Sequence, residues 1–223
     1  MVTPMLTRGD APDAVPEKLD HILLGCGDLD HGIAFVEQRL GVRAMFGGVH
    51  PGRGTQNALL SLGERHYLEI IAPDPAQPAS KSARRAQLEK LTEPRLVGWA
   101  AHPGDLNSFA KRLQQAGLAF EGPAPGSRKR PDGRLLQWQT LTLNDDASGL
   151  LPFFIEWSAD SSHPSGDAPA GCLLTRFELA TPEPEKLAKT LALLSLDVPV
   201  AKGEKPQLRA HFAGPKGNWE LTS

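Results

Sequence analysis

Only two cysteines, Cys26 and Cys172, occur in the 223 residues, far apart in the chain and each inside or beside an apolar run. Two thiols so placed form neither a disulfide framework nor a thiolate metal site, and they read as small buried apolar side chains. No apolar run approaches the roughly 18 residues that a bilayer-spanning helix needs. The opening MVTPMLTRGDAPDAVPEK also lacks the apolar core of a secretory signal. Charge of neither sign is in excess: a formal net charge of -2 gives no reason to expect nucleic acid or a membrane surface as partner. A cytoplasmic protein is the expectation.

What is present is ordinary globular stock, 40% hydrophobic and 22% charged, in a chain long enough for one large or two small domains. Residues 1–16 contain three prolines and little apolar periodicity, which predicts a flexible arm. Residues 17–75 hold the plan of the whole chain. An apolar run, Leu19 to Leu24, contains one histidine, His21; a helical segment and two strand-like runs follow; a last run, Tyr67 to Ala72, contains one carboxylate, Glu69. Strand alternation puts Leu19, His21 and Leu23 on one side of the first strand, and Tyr67, Glu69 and Ile71 on one side of the last. In one sheet, the imidazole and the carboxylate can share a face. A carboxylate inside YLEIIA needs a metal, a cation or a hydrogen-bonding ligand if it is buried. Otherwise Glu69 lies on a solvated edge and His21 is a satisfied core histidine.

LDHILLGCGDLD and HYLEIIAPD together resemble one βαβββ module of the vicinal-oxygen-chelate superfamily, and GGVHPGRGTQNALLSLG between them resembles its glyoxalase-like domain branch. The resemblance implies an α+β fold in which paired βαβββ modules form a curved mixed sheet around a cleft. It also implies a divalent metal held by a histidine or glutamine and a glutamate from each module.

Within the first module, GDLDHGIAFVEQRLGV predicts a helix capped by Asp28 or Asp30 and ended by Gly41, packed on the sheet face opposite His21. The glycine-rich GGVHPGRGTQ that follows brings His50 and Asn57 to a turn, as surface turn chemistry or as ligand contacts beside the cleft mouth. Residues 76–94 read as a linker with a short helix. Residues 95–160 repeat the strand, the capped helix (Asp105 or Asn107) and the strands. Here Val97, Gly98 or Trp99 falls where His21 stood, so this module lacks the histidine. Trp99 is a flat ligand wall or a core aromatic.

The basic cluster around Pro131-Asp132-Gly133 is a solvated hairpin tip or a grip on a carboxylate or phosphate. A similar basic stretch followed by a tryptophan recurs in the branch that the chain resembles, which keeps Arg128, Arg130 and Trp138 as substrate-binding candidates. Glu156, in LPFFIEWS, falls where Glu69 stood. His163 follows in a loop that either closes over the cleft or is punctuation. Residues 170–223 run strand, helix from Thr181 as cap, and short strands, a third partial module. Its expected role is to pack on the other two, extend a sheet or form a homodimer interface.

Two functions follow. One is a metalloenzyme of lyase, isomerase or dioxygenase type acting on vicinal oxygens, with His21, Glu69 and Glu156 as metal ligands and both glutamates catalytic. Mixed imidazole and carboxylate ligands suit manganese, iron, nickel or zinc. The other is a metal-free cleft, lined by Trp99, Trp138 and Tyr67 and edged by Arg128, Arg130 and Asn57, that binds or sequesters a small molecule; His50 and His163 are further substrate-binding candidates. No nucleotide cofactor is expected in either.

Overall fold

The computed structural model describes residues 15–63, 65–144 and 149–223, so most of the expected N-terminal arm lies outside the described residues. Its first half runs β1 (Leu19–Gly25), α1 (Leu29–Leu40), β2 (Met45–His50), β3 (Thr55–Ser61) and β4 (Tyr67–Pro73). After α2 (Ala83–Leu88) the pattern recurs as β5 (Arg95–Ala101), α3 (Leu106–Gln115), β6 (Phe120–Lys129), β7 (Leu135–Leu143) and β8 (Phe153–Trp157). A short α4 (Pro164–Asp167) leads to β9 (Leu173–Thr181), α5 (Pro184–Leu193), β10 (Val200–Lys202), β11 (Gln207–Gly214) and β12 (Gly217–Thr222).

The helices begin and end for local reasons. Asp28 accepts from the His31 N–H at 2.8 Å to cap α1, and Gly41, at φ 84°, closes it in the left-handed conformation. Asp105 caps α3 in the same way, accepting from the Ser108 N–H at 2.6 Å. The fifth helix differs from expectation. Thr181 ends β9 and Glu183 takes the cap position, with the Thr181 hydroxyl accepting only the Glu183 N–H at 3.3 Å.

The first eight strands form one curled mixed sheet, ordered β2-β3-β4-β1-β5-β8-β7-β6. Each half pairs its first and last strands in parallel, and the halves join where β1 and β5 run antiparallel. Helices α1 and α3 cover the convex face: Gly32 lies against Cys26 and Ile70, and Phe109 packs on Phe154 with ring centroids 4.3 Å apart. The concave face carries the odd-numbered set His21, Leu23, Tyr67, Glu69 and Ile71. The sheet curls until β2 reaches β6, where the Arg128 guanidinium donates to the Gly47 carbonyl. A Cβ on Gly48 would lie 2.7 Å from the Lys129 carbonyl oxygen, so the two edges meet only because that position is glycine.

The C-terminal strands build a separate sheet, ordered β10-β9-β11-β12. Its element order repeats that of the other modules, but β9 pairs in parallel with β10 and antiparallel with β11, leaving β12 on an edge. Phe177 and Phe212 from this sheet join the common core, with Phe177 5.2 Å from Trp99 and Phe35 of α1 5.5 Å from Trp219. Glu220, which echoes Glu69 in sequence, is half exposed opposite His211 at 4.0 Å.

Candidate functional site

The curled sheet encloses a cavity of about 640 Å3. Its floor is built where β1, β3 and β4 adjoin. Tyr67 pairs with His21 across the parallel strands and stacks on it, ring centroids 4.5 Å apart and planes 20° apart. His21 Nε2 lies 3.4 Å from Glu69 Oε2, and the Asn57 amide donates to Glu69 Oε1 at 2.7 Å. His50, at the end of β2, places Nε2 3.7 Å from Glu69 Oε1, and its Nδ1 lies 2.9 Å from the Thr55 hydroxyl.

Behind His21 stands a carboxylate that the alternation of strand residues hides. Asp20 Oδ1 is 2.7 Å from His21 Nδ1, although the two are consecutive in β1. The pairing of β1 with β5 explains this: Leu19 faces Ala101 and His21 faces Ala100, so Asp20 is an extra, bulged residue, and its side chain turns toward that of His21. Asp20 also takes His163 Nε2 at 3.2 Å, with the Trp157 indole N–H at 3.3 Å. One buried carboxylate thus ties both modules and the α4 segment to the same imidazole.

The charges follow from these contacts. Burial pushes the His21 imidazole down, but hydrogen bonds and charge from Asp20 and Glu69 outweigh it and raise its pKa to about 9. Burial pushes the Glu69 carboxyl up, and His21, His50 and Asn57 more than reverse this, bringing it to about 2. Asp20 is held well below the ordinary range by His163 and His21 against the same burial. His50 goes the other way: burial lowers it, and a neutral ring remains. At neutral pH the floor is therefore an imidazolium between two carboxylates.

Of the residues singled out in the sequence, His21, Glu69, His50, Asn57, Arg128 and Trp138 lie on the cavity wall. Trp138 stands beside Trp157, with centroids 5.3 Å apart. Four others are placed differently. Glu156 lies on the convex face, where its carboxylate accepts the Leu106 N–H at 2.9 Å at the start of α3. Phe153, Ile155 and Trp157 take the cavity side of β8, so the strand is one residue out of step with β4. Trp99 borders the cavity, but it is 1% exposed, donates its N–H to the Leu150 carbonyl at 2.8 Å and packs on Phe177. Arg130 is engaged by Asp167 and by Asp132, the latter at 3.5 Å. His163 buttresses Asp20 from outside the cavity wall.

Of the three side chains expected to hold a divalent metal, His21 and Glu69 meet at the cavity floor and Glu156 does not. Among the described residues no three His, Cys, Asp or Glu side chains are disposed to hold one. The second module offers only apolar groups at the matching places, and Glu156 is turned away. Glu69 is instead surrounded by His21, His50 and Asn57.

The family profile described as Glyoxalase-like domain matches residues 19–194. No curated protein matches the sequence. Among solved structures, a hypothetical protein from Staphylococcus aureus is similar with a TM-score of 0.66 and 17% identity, over 91% of this chain and 84% of that one. Methylmalonyl-CoA epimerase from Mycobacterium tuberculosis matches with a TM-score of 0.48 and 23% identity, over 66% of this chain and 92% of that one. At such identities the first match bears on the fold alone.

Proposed function

The chain belongs to the glyoxalase-like domain family, within the vicinal-oxygen-chelate superfamily, and we propose that its cleft is a metal-independent binding site for a small, largely apolar molecule. That molecule presents a hydroxyl or N–H group to Glu69. The observation that carries this reading is the Glu69 carboxylate itself, ionised at the cavity floor and held there by His21 and Asn57. A carboxylate brought to about 2 is a poor base, but its unused lone pairs make it a strong hydrogen-bond acceptor. Leu23, Ile71, Val97, Phe153 and Ile155 supply the apolar wall around it. A ligand's donor would therefore satisfy the carboxylate, and the same ligand without that donor leaves it less well satisfied.

Thermal-shift screening of hydroxylated and deoxygenated ligand pairs tests this. Hydroxylated members should stabilise the wild type, and Glu69→Gln should weaken their binding by about tenfold or more while sparing the deoxygenated partners. Equal binding of both partners to both proteins removes Glu69 from the reading. Metal content provides the second arm, on protein purified without an affinity tag. Near-stoichiometric manganese, iron, nickel or zinc that disappears in Glu69→Gln replaces this reading with a metal-dependent reaction on vicinal oxygens.

A further inference from the structure

Three arginines line the cavity from three separate elements: the exposed Arg53 from the β2–β3 turn, Arg84 from α2 and Arg128 from β6. None has a carboxylate partner among the described residues. Arg84 donates only to neutral acceptors, the Val97 carbonyl at 3.3 Å and Gln87 Oε1 at 3.0 Å. Arg128 donates to the Gly47 carbonyl, and the Arg53 side chain makes no hydrogen bond or ion pair to any described residue. Elsewhere the arginines that touch carboxylates are visibly matched, as Arg130 is with Asp167, Arg43 with Glu37, and Arg176 with Glu178. The three cavity arginines lack such a partner, and they cluster around one concavity.

The floor does not neutralise them. Its two carboxylates, Glu69 and Asp20, are fewer than the three guanidiniums and are already engaged by His21, Asn57 and His163. Like charges around a low-dielectric hollow raise the potential inside it and draw in an anion. Arg128 is 3% exposed, so its charge is poorly solvated as the protein stands. Guanidinium forks match the planar geometry of an anionic oxygen group, which a neutral amide cannot repay equally.

Resting on the cleft reading above, we infer that the ligand is a small organic anion. An anionic oxygen group, carboxylate or phosphate, lies toward Arg53 and Arg84; an apolar body lies along the cavity wall; a donor group faces Glu69. The guanidiniums and the carboxylate together thereby set the class of the ligand.

Calorimetric titration of the full chain with matched sets of alkyl, aryl and hydroxyaryl carboxylates, their primary amides and the corresponding phosphate esters tests this. Acids should bind about tenfold or more tightly than their amides, with affinity falling as salt is raised. The double variant Arg53→Gln/Arg84→Gln should erase that preference, bringing the acids down to the affinity of their amides. Comparison of carboxylates with phosphate esters identifies the anionic group. Acids and amides binding equally overturns the anion inference and leaves the cleft reading standing. A preference for acids that survives in the double variant overturns the assigned subsite. If no member of the sets binds, both readings fall.

Discussion

Asp20 and His21 follow one another in an extended strand, yet their side chains meet, Oδ1 to Nδ1 at 2.7 Å. The bulge opposite Ala100 and Ala101 makes this possible, and it converts His21 from a lone polar residue in an apolar run into the centre of a buried charge network. Removing the charge while keeping the shape should expose the cost. Asp20→Asn is expected to lower folding stability by about 3 kcal/mol, since it strips a buried imidazolium of its nearest counter-charge. Urea unfolding measures the loss, and an NMR titration of the His21 ring should show its pKa falling in the same variant.

Two of the shifted groups, His21 and Glu69, bracket the pH dependence of stability. His21 is raised from 6.5 to about 9, so its contribution is complete below 6.5 and is lost as pH rises through about 9. Glu69 is lowered from 4.5 to about 2, so its contribution is complete above 4.5 and is lost as pH falls through about 2. Both contribute fully between 4.5 and 6.5, while His50, lowered by burial, costs stability as pH falls below 6.5, so urea midpoints should peak near 6.5 and decline on the alkaline side before pH 9. Asp20→Asn should flatten that alkaline decline.

Glu69 and Glu156 occupy matching places in the sequence but opposite faces of the sheet, and their substitutions should separate cleanly. Glu156→Ala removes the acceptor at the start of α3 and should cost about 1 kcal/mol without changing ligand affinity. Glu69→Gln should do the reverse for hydroxylated ligands. Paired urea and binding measurements on both variants check this, and a loss of binding in Glu156→Ala would contradict the placement.

The closure of the sheet depends on its glycines at the seam. Gly48→Ala puts a Cβ 2.7 Å from the Lys129 carbonyl oxygen at a backbone φ of 140°, where side chains are strained. The expected result is a loss of about 2 kcal/mol or more. Faster amide exchange along β2 and β6 should accompany it, because the edges can no longer approach.

Much of this was legible in the residues. Asp28, Asp105 and Gly41 marked helix ends through chemistry that acts within a few residues, and alternation alone brought His21 and Glu69 to one face. Local rules work where the partners are near in the chain. Three features depended on tertiary structure instead. A bulge, visible only once β1 is paired with β5, aimed Asp20 at His21. The pairing of β8 put Trp157 rather than Glu156 on the cavity side. The third βαβββ run shares its element order with the others but not their strand neighbours, because pairing is chosen by which apolar faces can be buried together. Strand sequences state their two faces; which face looks inward, and at what register, is settled only by the strands that lie beside them.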